Sequence, residues 1–330
     1  MHFEFWSFQS NGLTESLTLA SKLNIVDLLA INWDMNPSVI PSLNMPRWYG
    51  IMWALGFYLG YAILNRMYKS ENAPSNWMDK TFIYILVAGI LGARLGHCLF
   101  YQPDYYLKNP IEILKIWEGG LASHGGAFGI ILAVYFLNRN VIHQSMLWIL
   151  DRLVVPTAIA AGLIRMGNLF NHEIVGSVTK SPFGFKFLRH DIDPAQAMQI
   201  TGKPDSDQAY AALSDSNNYQ NVWDLIPARH PAQLYEAIFY FLIFGLIFYM
   251  YWKTNASAMK GFLTGIFFIT VFGSRFMIEF IKEDQVAFES GMLFNMGQIL
   301  SIPLIIFGIY LVARNLKNLK KGKPVPVKLA

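Results

Sequence analysis

Gly162-Leu-Ile-Arg-Met-Gly-Asn-Leu-Phe-Asn-His-Glu-Ile-Val-Gly176 follows a long apolar run, yet it packs Arg165, Asn168, Asn171, His172 and Glu173 into nine residues. Charged groups are expensive at membrane depth, where they face partners or a polar cavity rather than lipid. Two readings compete for the stretch in isolation. It is the hydrated exit of a helix, or it is one wall of a polar site that other stranded polar groups complete. The rest of the chain has to decide.

The chain has 330 residues, 54% of them hydrophobic and 15% aromatic, and only 15% are charged. Soluble domains carry roughly a quarter charged residues, and several apolar runs here approach the ~20 residues that cross a bilayer as a helix. The composition predicts an all-α integral membrane protein with about seven transmembrane helices, an exterior head segment and an interfacial N-terminal helix. The lone cysteine, Cys98, excludes an internal disulfide and any multi-cysteine metal site, and its apolar setting reads as packing. The N-terminus has no basic region followed by an apolar core and a cleavage site, so no removable signal peptide is expected.

Along the chain, residues 1–46 form an N-terminal interfacial segment. Ser16 to Leu29 has partly helical apolar spacing, and Pro37, Pro41 and Pro46 break the chain after it. Spans are expected at about 48–64, 81–100, 127–137, 147–164, 232–252, 261–281 and 292–312, within a transmembrane domain of 47–313. The third is short unless the Gly-His-Gly-Gly region before it enters the membrane. An interfacial helix is expected from Ile111 to Trp117. Residues 177–229, rich in Asp, Asn, Gln, Ser and Pro, read as a polar head insertion, and 314–330 as a basic tail. Short cytoplasmic loops accumulate Lys and Arg. That rule puts Arg66, Lys69, Lys80, Arg139, Lys253, Lys260 and the C-terminus inside, with the N-terminus and 177–229 outside. Arg165, the glycine turn around His124 and Arg275 then share the exterior half of the membrane.

Arg275 and Glu279 are four apart and share a helical face; they form either a mutually neutralising pair or a cavity-facing arginine with its orienting carboxylate. Arg165 and Asn168 share a face if their helix continues, and Gly162 and Gly167 allow a close approach. Arg94 adds a third intramembrane guanidinium. Guanidinium makes bidentate bonds to phosphate oxygens, and in this setting a lipid supplies the phosphate most economically. His124, between Ser123 and Gly125, is either structural or the group suited to take a proton near neutrality. His230 is a second histidine, read as structural, with Gln233 and Glu236 satisfying a helix N-terminus. No metal-ligand spacing links the histidines, and there is no glycine-rich nucleotide loop.

Seven blocks in order resemble one family, the bacterial prolipoprotein diacylglyceryl transferases. They are Arg47-Trp-Tyr-Gly50, Gly92-Ala-Arg-Leu-Gly96, Glu118-Gly-Gly-Leu-Ala-Ser-His-Gly-Gly126 and Gly162 to Gly176, then Arg229-His-Pro-Ala-Gln-Leu-Tyr-Glu236, Ser274-Arg-Phe-Met-Ile-Glu-Phe280 and Met296-Gly-Gln-Ile-Leu-Ser-Ile-Pro303. The resemblance implies a seven-helix enzyme of the bacterial inner membrane. It implies transfer of a diacylglyceryl group from phosphatidylglycerol to the lipobox cysteine thiol of preprolipoproteins, with release of glycerol 1-phosphate. It implies no cofactor, no metal and no nucleic-acid partner. By motif, Arg165, Arg275 and His124 match the family's essential residues, and Tyr49, Asn168, Glu173, Gly176 and Glu279 further functional positions. Arg94 is added on its own chemistry.

The residues fit that reaction. His124 is the proposed aid to thiol deprotonation, although a positively charged site also lowers a thiol pKa; Arg165 and Arg275 stabilise charge growing on the departing phosphate. Val271 and His97 stand where the family commonly has tyrosine. The competing reading is an anion or lipid transporter, since intramembrane arginines also line transport pathways, but no paired repeat of the kind transporters show is evident.

Overall fold

In a computed structural model, the described residues are 30–116, 119–120, 122–283 and 292–320. The expected helix within Ser16–Leu29 and the end of the basic tail lie outside them. In chain order the elements are β1 (Ile31–Trp33), α1 (Trp48–Ser70), α2 (Asn76–Phe100), α3 (Pro103–Lys108), α4 (Ser123–Leu137) and α5 (Met146–Phe170). There follow β2 (Phe185–Phe187), α6 (Leu188–Asp191), α7 (Pro194–Thr201), α8 (Ser206–Leu213) and α9 (Gln220–Leu225), then α10 (Ala232–Lys253), α11 (Phe262–Ile278) and α12 (Met296–Lys320). Among the described residues, six helices are long and apolar enough to cross a membrane: α2, α4 with its continuation, α5, α10, α11 and α12. The aromatic-rich α1 has 23 residues, about 35 Å at 1.5 Å per residue, which also matches a bilayer. The chain is a multi-pass, mainly helical membrane protein.

Several boundaries differ from expectation for identifiable reasons. Helix α1 continues past Leu64 through Arg66 and Lys69, placing a lysine in its last turn, where it complements the helix dipole. Helix α4 begins at Ser123, so His124-Gly125-Gly126 is its first turn, and a π turn over Asn138–Ile142 lengthens its far end. The short third span therefore reaches full length by taking in the glycines. Those glycines are also the seam with α2: a Cβ on Gly92 would stand 2.5 Å from the Gly125 carbonyl, and one on Gly96 2.7 Å from Gly125 Cα. Only glycine permits backbones that close. Over the described part of the expected 111–117 helix, the chain forms a five-residue 3-10 turn at Pro110–Leu114, after α3. Arg94 donates to the carbonyls of Glu112 and Ile113, the first of which also accepts from the Lys115 N–H that closes the turn. Helix α12 starts at Met296 rather than 292, because Asn295 and Gln298 form a reciprocal cap (2.9 and 3.1 Å).

The chain divides into two compact units. The membrane unit comprises Tyr49–Gly167, Tyr235–Phe280 and Phe288–Ala330. Its main core joins Val154, Val155 and Ala158 of α5 to Tyr240, Ile247 and Tyr251 of α10 and to Leu263 and Phe267 of α11. Two charged residues that interrupt the fourth span are structural. Asp151 accepts from the backbone N–H groups of Gly261 (2.6 Å) and Thr264 (2.8 Å) and from the Thr264 hydroxyl (2.7 Å), capping α11. Arg152 grips both Glu71 oxygens (3.0 and 2.8 Å) and lies over the Trp148 ring, and Tyr251 donates to the same carboxylate.

The second unit draws on Met1–Trp48, Asn168–Leu234 and Ile281–Ala287. The polar segment 177–229 is thus a small folded head that recruits chain from both sides. Its core is Leu188, Ala197, Ala209, Tyr210, Leu213, Val222, Trp223 and Ile226. β1 pairs in parallel with β2, Ile31 opposite Phe185 and Trp33 opposite Phe187. His172 is buried, with Nε2 2.9 Å from the Met35 carbonyl and its ring edge-on to Phe187. Burial pushes its pKa down to about 4.

Two outcomes follow from these contacts. Arg152→Met leaves the partly buried Glu71 without its cation and costs about 3 kcal/mol of stability, whereas adding Glu71→Leu restores most of it; denaturant unfolding in detergent measures both. His172, neutral when folded, favours the fold above its unfolded pKa of about 6.5 and loses that contribution as pH falls towards 4. The total is on the order of 3 kcal/mol. His172→Gln, which keeps a donor for Met35, flattens the acid limb of the stability profile; an unchanged limb contradicts this assignment.

Candidate active site

Helix α5 is unbroken through Phe170, so Arg165 and Asn168 occupy one face a turn apart. Two glycines bring neighbours against it. A Cβ on Gly162 would lie 2.5 Å from the Phe241 ring of α10, and one on Gly167 2.7 Å from Tyr49 Cδ2 of α1. Packed this closely, Arg165 meets Glu236: Nε lies 2.8 Å from Oε2, and the carboxylate side chain is 0% exposed. One turn along α10, Tyr240 hydrogen-bonds the same guanidinium and feels the charge of Arg275; Glu279 is also within electrostatic reach of Arg165. Glu279 is buried beside Gly297, where a Cβ would approach its Oε1 to 2.6 Å. Helices α5, α10 and α11 therefore assemble two guanidiniums, two carboxylates and a phenol inside an apolar bundle.

Glu236 and Tyr240 are the residues sequence reasoning missed. Glu236 was expected to serve a helix N-terminus with Gln233, but it is the ion-pair partner of Arg165. Its signal was present as a carboxylate and a tyrosine four apart on an otherwise apolar helix.

In the head unit, Glu173 gathers a ring of amides. Its backbone N–H donates to the Asn168 carbonyl (3.0 Å), and its carboxylate accepts from Asn168 Nδ2 (3.3 Å) and Asn171 Nδ2 (3.2 Å). Its carbonyl accepts from Gln233 Nε2 (2.5 Å). The backbone is strained on either side of Glu173, with His172 and Ile174 both at φ 57°. A β-branched residue rarely adopts that conformation, at a cost of about 1–3 kcal/mol, and such positions cluster at functional sites. Gly176 is a crossing point. Its N–H donates to the His230 carbonyl (2.8 Å), and a Cβ would come within 2.6 Å of that oxygen and 2.7 Å of the Ile281 carbonyl. The geometry gives Gly176 a backbone reason to be glycine.

His124 stands in different company. It is exposed in the first turn of α4, with its ring against Phe100 and Tyr101 (both 5.8 Å). Among the described residues it makes no hydrogen bond or ion pair to Arg165 or Arg275. It borders an apolar groove of about 1010 Å³ between α2 and α4, whose sides include Leu91, Leu95, Phe128 and Leu132. Arg94 departs from the phosphate-binding role read from the sequence. It is buried, donates to the carbonyls of Ile113 (3.0 Å), Glu112 (2.5 Å), Gly119 (2.6 Å) and Gly120 (3.5 Å), and stacks on Tyr106. A guanidinium spent on four carbonyls is a scaffold for the loop leading to His124.

The family model for prolipoprotein diacylglyceryl transferase matches residues 39–314. Curated relatives named phosphatidylglycerol–prolipoprotein diacylglyceryl transferase include one from Chloroherpeton thalassium, 40% identical over 89% of this chain and 97% of its own. Others come from Porphyromonas gingivalis, 42% identical over 87% and 95%, and Tolumonas auensis, 40% identical over 87% and 98%. With a match across most of its length and relatives aligned nearly end to end, this chain belongs to the prolipoprotein diacylglyceryl transferase family.

Proposed function

We propose that the Arg165–Glu236–Tyr240–Arg275 cluster is the phosphate-binding centre of a phosphatidylglycerol–prolipoprotein diacylglyceryl transferase. The reaction moves the sn-1,2-diacylglyceryl group of phosphatidylglycerol to the lipobox cysteine of a preprolipoprotein. The observation that carries this reading is buried Tyr240, hydrogen-bonded to the Arg165 guanidinium that Glu236 pairs and within the electrostatic reach of Arg275. Like charges gather inside an apolar bundle only where carboxylates or a ligand anion offset them, and a phosphate diester supplies such an anion.

The thiol, with a free pKa of about 8.5, loses its proton and attacks the glyceryl carbon bonded to the phosphate ester oxygen. A carbon–sulfur bond forms, the carbon–oxygen bond breaks, and its electron pair goes to the phosphate oxygen. Glycerol 1-phosphate leaves. Charge grows on that oxygen as the bond breaks, so Arg165 and Arg275 bind the transition state more tightly than the ground state. Glu236 holds the Arg165 fork in place, with Glu279 as the second carboxylate of the cluster. Tyr49, packed on Gly167 of the Arg165 helix, and Asn168, one turn beyond Arg165 on that helix, are the polar groups proposed to contact the head group. Glu173 and Gly176 keep the head unit's own backbone in shape, and Arg94 supports the loop before His124. His124 is the candidate proton acceptor for the thiol.

The distribution of basic residues favours an exterior N-terminus and head, a cytoplasmic C-terminus and residence in the bacterial inner membrane. Arg66, Lys69, Lys80, Arg139, Lys253 and Lys260 fall at helix ends and loops assigned to the inner face. An exterior head suits substrates whose lipobox cysteine is presented at the outer surface.

Reconstitution with phosphatidylglycerol and a lipobox peptide tests the proposal. Wild-type protein yields thioether-linked peptide and one glycerol 1-phosphate per transfer. Arg275→Lys loses at least tenfold in turnover, because one ammonium cannot reproduce the planar fork. His124→Gln falls by about 10²-fold or more if His124 takes the proton. Anion flux without modified peptide overturns the reading, and near-normal turnover by His124→Gln removes it as the base.

A further inference from the structure

We propose that the apolar groove between α2 and α4 docks the apolar helix of the preprolipoprotein's signal sequence and holds it with the lipobox cysteine beside His124. The proposal rests on the transferase reading above and adds the surface that recognises its protein substrate.

Both walls of the groove belong to the membrane unit. Gly92 and Gly96 of α2 meet Gly125 and Gly129 of α4 backbone to backbone, and the same four glycines line the groove. With no side chains at the seam, the floor lies at the level of the two backbones. Leu91 and Leu95 of α2 and Phe128 and Leu132 of α4 form its flanks, and these four are between 42% and 63% exposed. In a membrane, small residues of this kind let a neighbouring helix approach closely.

Length and polarity decide the occupant. The lining runs from Ile83 to Phe100 on α2 and from His124 to Asn140 on α4, about 25 Å at 1.5 Å per residue. An acyl chain keeps to one leaflet, about half of a hydrocarbon core of about 30 Å, so the groove outruns it. A signal sequence carries an apolar stretch of about 7–15 residues between a basic start and a polar cleavage region, about 10–23 Å as a helix. The groove repeats that pattern. Its polar lining groups are Tyr84 and Asn140 at one end and His124 at the other, with apolar side chains and glycine between them. On the proposed orientation the His124 end is exterior, which is where a signal sequence with its basic end inside places the lipobox. The exposed His124 then stands where the cysteine arrives, beside the thiol whose proton it is proposed to take.

The test replaces Phe128 with photoreactive p-benzoylphenylalanine. The protein is irradiated in phosphatidylglycerol proteoliposomes with a peptide running from the basic start of a signal sequence through its lipobox. The expected product is an adduct to the apolar segment of the peptide, suppressed by excess unlabelled peptide. Adducts to lipid alone mark an acyl-chain groove, and adducts to a second copy of the chain mark a self-association face; either result, or no adduct, overturns the proposal. A second variant, Leu95→Trp with Leu132→Trp, narrows the groove. It is expected to raise KM for the peptide at least tenfold while KM for phosphatidylglycerol stays within twofold of wild type. An unchanged KM for the peptide, or an equal rise for both substrates, overturns the proposal. Wild-type protein that captures the peptide but transfers no diacylglyceryl group overturns the transferase reading and leaves the docking surface standing, whereas transfer without capture overturns the docking surface alone.

Discussion

The ion pair between Arg165 and Glu236 is the constraint on which the rest of the site depends. Removing a guanidinium and a carboxylate from water costs several kcal/mol per ion, and their attraction offsets that only with close geometry and further hydrogen bonds. The sequence supplies both. Gly162 and Gly167 let α10 and α1 approach α5, and Tyr240 adds a phenol to the pair. A cluster built this way is held in place by its own contacts. On the proposed reading, its donors need little reorganisation as charge develops on a departing phosphate, which is how such sites lower barriers most effectively.

A second buried ion network shows what a purely structural charge looks like in the same bundle. Arg152 lies on the same helix as Arg165, about 20 Å away at 1.5 Å per residue. It is clamped by Glu71, the Trp148 carbonyl and ring, and the Ser257 carbonyl. Asp151, next to it, caps α11. These groups tie helix ends to one another. Arg94 belongs with them, its nitrogens taken by four carbonyls. The contrast sets Arg165 apart by its company: a buried carboxylate and the phenol of Tyr240, which also feels the charge of Arg275.

Much of this was legible in the sequence. Apolar runs of bilayer length announced the membrane helices, and the polar cluster at 165–173 stood out because charge is costly in such a run. Spacing alone put Arg165 and Asn168 on one face. What the sequence hid depends on tertiary contact. Nothing local distinguishes Arg94, satisfied by loop carbonyls, from Arg165, satisfied by a carboxylate 71 positions away. Glu236 looked like a helix-start residue because its motif precedes an apolar helix. The start of α4 was obscured because His124-Gly125-Gly126 reads as a turn until the seam with Gly92 and Gly96 explains why helical glycine is required there. The head was visible only as polarity, since its core is built by short helical pieces between Leu188 and Ile226, each too brief to show an apolar stripe.

The most direct test is the value of kcat/KM for phosphatidylglycerol in Arg165→Lys, measured in proteoliposomes alongside its thermal unfolding in detergent. A lysine keeps the charge opposite Glu236 but loses the planar fork. The account predicts a fall of at least 100-fold, as for loss of a transition-state donor, with the unfolding midpoint close to that of wild type. Activity within threefold of wild type would contradict it.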